Sequence, residues 1–168
     1  METVFISIGT NIERRKHLKF ALDALYGRWG PLQLSSVYES EAVGFVGDDF
    51  YNMVVGFKAA DSIADLNAEF KAIELEGGRD RHAAKFSART IDIDLLNYGD
   101  KVYAEPVVLP RAEILHNAFV LLPFCELAPD WIHPEQGVSL SRLWQAFDQR
   151  SQPLKKIEDP IDMSPYKQ

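Results

Sequence analysis

Residues 91–95 alternate aliphatic and acidic side chains, a pattern that strongly favours a half-buried β-strand. Because successive side chains of a strand point to opposite faces, the aliphatic residues would face a core while Asp92 and Asp94 would share the other face. The backbones of these two residues would be roughly 6.6 Å apart, close enough for their negative charges to disfavour each other. A cation would relieve this repulsion, so the acidic pair, Asp92 and Asp94, is a candidate metal site.

Two carboxylates with no His or Cys beside them are hard oxygen ligands, the kind that Mg²⁺ prefers. Basic residues crowd the segment before the strand: Arg79, Arg81, His82, Lys85 and Arg89. This combination is expected where a polyphosphate is held by a metal ion on one side and by guanidinium groups on the other. The alternative is a surface strand whose acids are merely solvated, which is the commoner role of an isolated Asp-x-Asp.

Hydrophobic periodicity switches between strand and helix along the chain in the order β-α-β-β-α-β. The predicted strands cover about residues 4–8, 33–39, 50–59 and 91–96, and the predicted helices include one ending at Gly27, one from Ser62 to Gly77, and short ones near 119–127 and 140–147. This order predicts an α+β fold, a ferredoxin-like antiparallel sheet with helices packed on it. The connections 41–49 and 77–90 are unusually long, and we expect them to be active-site loops.

Side chains near the helix ends give further expectations. Asn11 can cap the first helix, and Ser62 with Asp65 is typical of a capping box at the start of the second. The cations of the first helix lie mostly off its apolar stripe, which predicts a solvated face: Arg14, Arg15, Lys16 and Lys19.

Length and composition predict a single domain over residues 1–150 and a polar C-terminal tail over residues 151–168. The net charge of −7 argues against a general nucleic-acid partner, since a phosphate backbone is normally met by positive surface. The single cysteine, Cys125, excludes an intramolecular disulfide framework and is expected to be a small core residue. No apolar run approaches membrane-spanning length, so no membrane partner is expected and the cytoplasm is the expected location. Nothing in the sequence requires an oligomer.

The acidic strand and the segment before it resemble the signature of the 6-hydroxymethyl-7,8-dihydropterin pyrophosphokinase family. The matching positions are Lys85, Ser87, Ala88, Arg89, Asp92, Ile93, Asp94, Leu95 and Leu96. Further segments are similar to the family in the same order, over roughly residues 3–148: 8–11, 36–40, 50–52, 73–81 and 119–124. The resemblance implies the ferredoxin-like fold and the transfer of pyrophosphate from ATP to a reduced hydroxymethyl pterin in folate biosynthesis.

On the phosphate side, the resemblance implies that the acidic pair is catalytic and holds two Mg²⁺ ions. Arg79 and Arg89 would be catalytic by neutralising phosphate charge during transfer, the alternative being that they only keep a surface loop solvated. The resemblance also places five residues at the ATP: Lys71, Glu74, Arg81, Leu95 and Arg111. For Glu74, a structural role as a helix-end carboxylate is equally open.

On the pterin side, the resemblance implies that Phe50 and Phe119 sandwich the ring and that Asn52 reads its amide and amine edge. Backbone groups would come from three further residues: Ser40, Ala42 and Val43. A planar ring rich in donors and acceptors needs flat apolar walls together with polar groups. The alternative for the two phenylalanines is ordinary core packing, whereas a partly buried amide must find partners.

Four departures from the family pattern lie on the nucleotide side: Pro106, Val108, Arg111 and Asn117. They stand where the family has Arg, Thr, His and Arg. A second function of a different class therefore stays open, that of a non-catalytic or retuned paralogue that binds pterin or nucleotide as a regulatory module. A third hypothesis is another Mg²⁺-dependent nucleotidyl- or glycosyltransferase that uses Asp-x-Asp. Phe50, Asn52 and Phe119 argue against it.

Overall fold

The computed structural model describes residues 1–41, 49–78 and 91–168. Within these ranges six strands form one sheet: β1 (Glu2–Thr10), β2 (Gln33–Leu34), β3 (Val37–Ser40), β4 (Phe50–Ala59), β5 (Asp92–Tyr98) and β6 (Lys155–Ile157). The same ranges contain five α-helices and one 3₁₀ turn: α1 (Arg14–Trp29), α2 (Ile63–Glu76), α3 (Glu113–His116), α4 (Ala118–Leu127), α5 (Leu140–Ala146) and Ser164–Lys167. None of these helices is long and apolar enough to cross a membrane.

The strands are ordered β5-β1-β4-β3-β6, β2 pairs with β4, and every one of these pairings is antiparallel. α1 follows β1 and α2 connects β4 to β5, so the predicted ferredoxin-like α+β sheet is confirmed. β1 lies between β4 and β5, and its residue Ile8 is in register with Met53 on one side and Ile93 on the other. β1 therefore sets how residues of β4 align with residues of β5.

The sheet separates two hydrophobic cores because successive side chains of each strand point to opposite faces. On one face Ile6 of β1 packs in a cluster with Leu22 of α1. On the other face Val54 of β4 packs in a second cluster with Phe124 of α4. Each fully buried side chain of this size stabilises the fold by about 1.5–3 kcal/mol relative to exposure. We call these the α1 face and the α4 face.

The alternation predicted for the acidic strand is confirmed. Ile91, Ile93 and Leu95 are 0%, 5% and 0% exposed and belong to the cluster on the α1 face. Asp92 and Asp94 are partly exposed and alternate with them. Both acids of the pair therefore project from the α4 face.

The prediction that Asn11 caps α1 is wrong. The N-cap position is held by Glu13, whose φ of 39° lies in the left-handed region, and the helix begins at Arg14. The preceding turn is closed instead by His17, whose Nδ1 lies 2.6 Å from the carbonyl oxygen of Ile12. This interaction joins the first helical turn to the loop before it. Sequence rules for helix caps do not predict such a contact.

The other helix ends follow local signals more closely. α1 continues past Gly27 to Trp29, and Gly30, whose φ of 77° suits glycine, closes its last turn. α2 begins as predicted, because the hydroxyl of Ser62 accepts a hydrogen bond from the backbone N–H of Asp65 at 3.1 Å. A residue with helical φ, such as Gly27, need not end a helix whose apolar face continues beyond it.

The strand predicted over residues 33–39 is interrupted at Ser35 and Ser36, which separate β2 from β3. The backbone N–H of Ser35 donates to the carbonyl oxygen of Val54 at 3.0 Å, and its hydroxyl accepts from the N–H of Val54 at 2.9 Å. A side-chain oxygen thus takes the place of a backbone carbonyl in the ladder. Hydrophobic periodicity carries no information about such a replacement.

The prediction that residues 151–168 form a tail with little core to order it is wrong. β6 pairs with β3, and Tyr166 is 4% exposed within the cluster on the α1 face. The hydroxyl of Tyr166 donates to Oδ1 of Asp23 on α1 at 2.6 Å. The side chains that anchor this segment are few and widely spaced, so its Pro- and charge-rich composition conceals them.

Candidate functional site

Three strands contribute to one row of residues on the α4 face. Asn52 of β4 and Asp92 of β5 are both in register with Gly9 of β1, which lies between them. Neighbouring strands are about 4.8 Å apart, so the backbones of Asn52 and Asp92 are roughly 10 Å apart. Two residues along β1, Ser7 is in register with Asp94 on the same face. The fold therefore brings the predicted pterin-reading amide and the acidic pair together.

Hydrogen bonds fix the amide of Asn52, which is 6% exposed. Its Nδ2 donates to the carbonyl oxygen of Tyr38 at 3.1 Å and to the hydroxyl of Ser40 at 2.8 Å, and the carbonyl oxygen of Phe50 lies at 3.3 Å. Because these acceptors hold the nitrogen, the oxygen Oδ1 is directed toward Gly9, where an added Cβ would lie 3.6 Å away. Asn52 can therefore offer a fixed acceptor to donors on a ligand.

Gly9 places no side chain between Asn52 and Asp92. A Cβ added at Gly9 would lie 3.6 Å from Oδ1 of Asn52 and 3.6 Å from a ring carbon of Phe50, which is ordinary van der Waals contact. A larger side chain would fill the space in front of these groups. Sequence reasoning missed Gly9 as a site residue, although Gly9 directly follows the predicted strand 4–8 and lies in the segment 8–11 that resembles the family.

Tyr38 connects the strand beside Asn52 to α4. Its hydroxyl donates to Oε2 of Glu126 on α4 at 2.9 Å, and Oε1 of the same carboxylate accepts from the backbone N–H of Ser36. Burial of the ring, together with the neighbouring Glu126, raises the pKa of Tyr38 to about 12. The hydroxyl therefore remains a donor throughout the neutral range. The same helix carries Phe119, so the two sides of the predicted pterin pocket are fixed to each other.

The two predicted sandwich residues are both partly exposed. Phe50 begins β4 and Phe119 lies in the first turn of α4, where it packs against the cluster that contains Phe5 and Phe124. Phe124, by contrast, is 0% exposed. A plain core role does not account for the exposed part of either ring, and the sandwich of a pterin between them stays a prediction.

Arg111 lies beside the acidic pair. Its Nη2 is 3.8 Å from Oδ1 of Asp94, and its Nη1 is 3.9 Å from Oε2 of Glu113. Its Nε donates to the carbonyl oxygen of Leu95 at 2.8 Å. The guanidinium is thereby held next to a carboxylate that is predicted to carry phosphate-bound metal. It can meet phosphate charge from this position without leaving β5.

The donor set of the acidic pair fits a hard divalent cation. Mg²⁺ is usually held by one or two carboxylates, with waters and substrate phosphates completing its six ligands. Among residues 1–41, 49–78 and 91–168, no group of three or more His, Cys, Asp or Glu side chains could hold a metal ion. Asp92 and Asp94 could supply carboxylate ligands to such a cation, and water or phosphate oxygens could supply others.

Two side chains cover the outer edge of β5, which is the last strand of the sheet on this side. Oε2 of Glu74 accepts from the backbone N–H of Ile93 at 2.8 Å, one residue from each member of the acidic pair. Arg111 binds the carbonyl of Leu95, as described above. Glu74 thus has the structural role of a helix-end carboxylate, and its contact with ATP stays a prediction. The side chain of Leu95 is fully buried on the α1 face, so only its backbone could meet ATP.

The remaining nucleotide-side positions lie at the surface or at a helix junction. Lys71 is exposed on α2, one turn before Glu74. Pro106 and Val108 are exposed between β5 and α3, with Val108 at 63%. Asn117 joins α3 to α4 and its carbonyl oxygen accepts from the N–H of Leu121 at 2.9 Å.

Five predicted site residues lie outside the described residues: Ala42, Val43, Arg79, Arg81 and Arg89.

Solved structures with the same architecture define the class of fold. The structure of Plasmodium falciparum HPPK-DHPS wild type with SDX-DHP matches 89% of this chain and 44% of that chain, with a TM-score of 0.69 and 15% identity. The wild-type protein with pteroate matches 89% of this chain and 45% of that chain, with a TM-score of 0.71 and 13% identity. This chain is therefore an α+β domain with the ferredoxin-like fold.

Sequence comparison gives the family. The family model described as 7,8-dihydro-6-hydroxymethylpterin-pyrophosphokinase (HPPK) matches residues 5–129. The proteins named 2-amino-4-hydroxy-6-hydroxymethyldihydropteridine pyrophosphokinase from Synechocystis sp. and Aquifex aeolicus are 35% identical over 115 residues and 32% identical over 137 residues. The folic acid synthesis protein fol1 of Pneumocystis carinii is 33% identical over 150 residues. The chain belongs to the HPPK family, as the resemblance of the acidic strand implied.

These relatives differ in how much of their length is matched. The matched segment covers 86% of this chain but 20% of the Pneumocystis protein, and 68% of this chain but 58% of the Synechocystis protein. In the Aquifex protein it covers 80% of this chain and 85% of the relative. The chain thus spans less than two thirds of the Pneumocystis and Synechocystis proteins and most of the Aquifex protein.

Proposed function

We propose that this chain transfers pyrophosphate from ATP to 6-hydroxymethyl-7,8-dihydropterin in folate biosynthesis, giving the pterin diphosphate and AMP. The observation that carries the proposal is the row in which Gly9 separates the fixed amide of Asn52 from Asp92 on one sheet face. Such a row suits a substrate whose ring is held at one point and whose reacting oxygen is held at another. Membership of the HPPK family and the names of the relatives support the same reaction.

Recognition of the pterin divides between an amide and two rings. Asn52 accepts from ring N–H groups through Oδ1, because its Nδ2 is already held by Tyr38 and Ser40. The hydroxyl of Ser40 therefore helps to orient Asn52. Phe50 and Phe119 provide apolar surfaces for the two faces of the heterocycle. The hydroxymethyl group then extends over Gly9 toward the acidic pair.

The products determine which bonds change. The hydroxymethyl oxygen attacks the β-phosphorus of ATP, and the bond from the β-phosphorus to the oxygen that bridges it to the α-phosphorus breaks. AMP leaves with that oxygen, and the hydroxyl proton passes to water. Asp92 and Asp94 would hold two Mg²⁺ ions, which would neutralise phosphate charge and make the hydroxyl more acidic. Arg111 adds positive charge beside Asp94. Arg79 and Arg89 neutralise phosphate charge during transfer.

The test is a direct product assay. The chain is incubated with ATP, Mg²⁺ and 6-hydroxymethyl-7,8-dihydropterin, and AMP and the pterin diphosphate are separated by chromatography. We expect the two products in equal amounts, and neither one after chelation of Mg²⁺ or with a 6-methyl pterin that lacks the hydroxyl. ADP in place of AMP would contradict the proposal. Pterin binding without AMP from any nucleoside triphosphate would support the regulatory module instead.

A further inference from the structure

Arg14, the first residue of α1, makes three contacts with β3, β4 and the residue before β4. Its Nη1 is 2.7 Å from Oε2 of Glu39 and donates to the carbonyl oxygen of Asp49 at 3.0 Å. Its guanidinium carbon lies 4.1 Å from the centre of the Tyr51 ring. Only 28% of the Arg14 side chain is exposed, so the expectation of a solvated cation is wrong for this residue.

These contacts lie directly behind the predicted pterin site. Glu39 and Tyr51 are cross-strand partners, and Tyr51 belongs to the cluster on the α1 face. Phe50 and Asn52, which flank Tyr51 on β4, point to the opposite face because side chains alternate along a strand. Arg14 therefore binds the β3–β4 pair on the α1 face, whereas the predicted pterin-binding residues Phe50 and Asn52 lie on the α4 face.

The turn that presents Arg14 is itself held in place. It follows Thr10, the last residue of β1, and Glu13 adopts a left-handed φ of 39° immediately before Arg14. Nδ1 of His17 lies 2.6 Å from the carbonyl oxygen of Ile12 within the same turn. Arg14 thus connects the turn after β1 to the start of β4, where Phe50 and Asn52 lie.

We propose that Arg14 is a positioning residue for the pterin site, which it aligns by joining the β1–α1 turn to the β3–β4 pair. The inference rests on the proposed function. A planar guanidinium can bind a carboxylate and a carbonyl while it stacks on an aromatic ring, whereas a lysine ammonium acts as a point charge. Substitution of Arg14 leaves the side chains of Phe50 and Asn52 unchanged. It removes the contacts that hold β3 and β4 against the β1–α1 turn, and these strands align the two side chains.

The experiment measures the Kd of the pterin by fluorescence titration, together with kcat and both KM values from AMP formation. Arg14→Ala should raise the Kd and KM for pterin about tenfold, a loss of about 1.4 kcal/mol, while the KM for ATP changes less than about twofold. Arg14→Lys should recover part of the pterin affinity. Glu39→Gln, which weakens the same contact from the strand side, should shift the pterin Kd in the same direction as Arg14→Ala.

Arg28→Ala is the matched control. Arg28 lies on the same helix, its side chain is also 28% exposed, and it pairs with two carboxylates, Glu69 and Glu76. This variant should keep the parent pterin Kd even if its melting temperature falls. An unchanged pterin Kd in both Arg14→Ala and Glu39→Gln, or equal losses for pterin and ATP, overturns the inference while the parent activity stands. A parent chain that neither binds pterin nor forms AMP overturns the proposed function and this inference with it.

Discussion

Oε2 of Glu74 accepts a hydrogen bond from the backbone N–H of Ile93 at 2.8 Å, which joins the end of α2 to the edge strand β5. The N–H that it binds lies between Asp92 and Asp94 in the chain. The outer N–H groups of an edge strand have no partner strand, so they need another acceptor or water. Glu74 therefore steadies the backbone from which the acidic pair projects.

Glu74→Ala should lower the free energy of unfolding by about 1–3 kcal/mol, the usual cost of leaving a buried donor without its acceptor. Glu74→Gln keeps a side-chain oxygen at this position and should lose less. Urea denaturation measures both. The control is Glu76→Ala, since Glu76 is 54% exposed on the same helix and its loss should change stability by no more than about 0.5 kcal/mol. Equal effects of Glu74→Ala and Glu76→Ala would contradict the structural role.

Gly9→Val should weaken pterin binding by about tenfold or more, because the valine side chain would occupy the space between Asn52 and Asp92. The fold should persist, since a Cβ at Gly9 meets its neighbours at 3.6 Å and β-branched residues suit strands. Pterin titration and thermal melting measure the two effects. Gly27→Ala is the control, because a Cβ there meets no heavy atom within 4 Å. Parent-like pterin affinity in Gly9→Val would place the ligand elsewhere.

Asp92→Asn and Asp94→Asn should each reduce AMP formation by about 100-fold or more while pterin binding persists. Each substitution keeps the shape of the side chain but removes a charge that would hold phosphate-bound Mg²⁺, and such metal contacts supply several kcal/mol of stabilisation in the transition state. Initial rates over a Mg²⁺ titration are the measurement, with Asp130→Asn at an exposed position as the control. Full activity in either variant at ordinary Mg²⁺ would rule out the metal assignment.

His133 should make the fold less stable in mild acid. It is 1% exposed, and its Nδ1 accepts from the backbone N–H groups of Glu135 and Gln136 at 3.2 and 3.3 Å, which a protonated ring cannot do. Burial lowers the pKa of His133 below the ordinary 6.5, against a smaller opposing effect of the Glu135 charge. The unfolded chain then binds the proton more readily. Stability from this residue is therefore complete above about pH 6.5 and is lost as the pH falls below it.

Urea denaturation at pH 7.5 and 5.5 checks this expectation. His133→Gln should lose less stability than the parent between the two pH values, because the titrating ring is gone. The exposed His116 serves as the control, and His116→Gln should keep the parent's pH dependence. The same acid-induced loss in His133→Gln as in the parent would show that other groups cause it.

Sequence patterns of short range predicted several elements correctly. The alternation around Asp92 and Asp94 assigned β5 and the shared face of the acidic pair, and Ser62 marked the start of α2. Both signals are local, since a strand repeats every two residues and a cap acts within one turn. The order of strands and helices was also enough to predict the ferredoxin-like sheet.

Sequence patterns failed where contacts join distant parts of the chain. Arg14 is on a helix face that periodicity marks as solvated, yet it binds Glu39. Tyr166 belongs to a segment that composition marks as a tail, yet it lies in the core. The sequence around each residue looks like that around an exposed residue, because the partner that buries the side chain comes from a distant element.

By itself, the sequence determined the chemistry available to this protein. It contains an acidic pair on one strand face, the HPPK signature, and Phe50, Asn52 and Phe119 at positions that match the family pattern. Only the tertiary structure decided that Gly9 lies between Asn52 and Asp92. It also decided that Glu74 covers the edge of β5 and that Arg14 contacts Glu39 and Tyr51. Those relationships depend on strand register and on which helix packs against which face. Register and packing are set by the whole sheet at once, because a shift of one residue would turn every side chain of a strand to the other face.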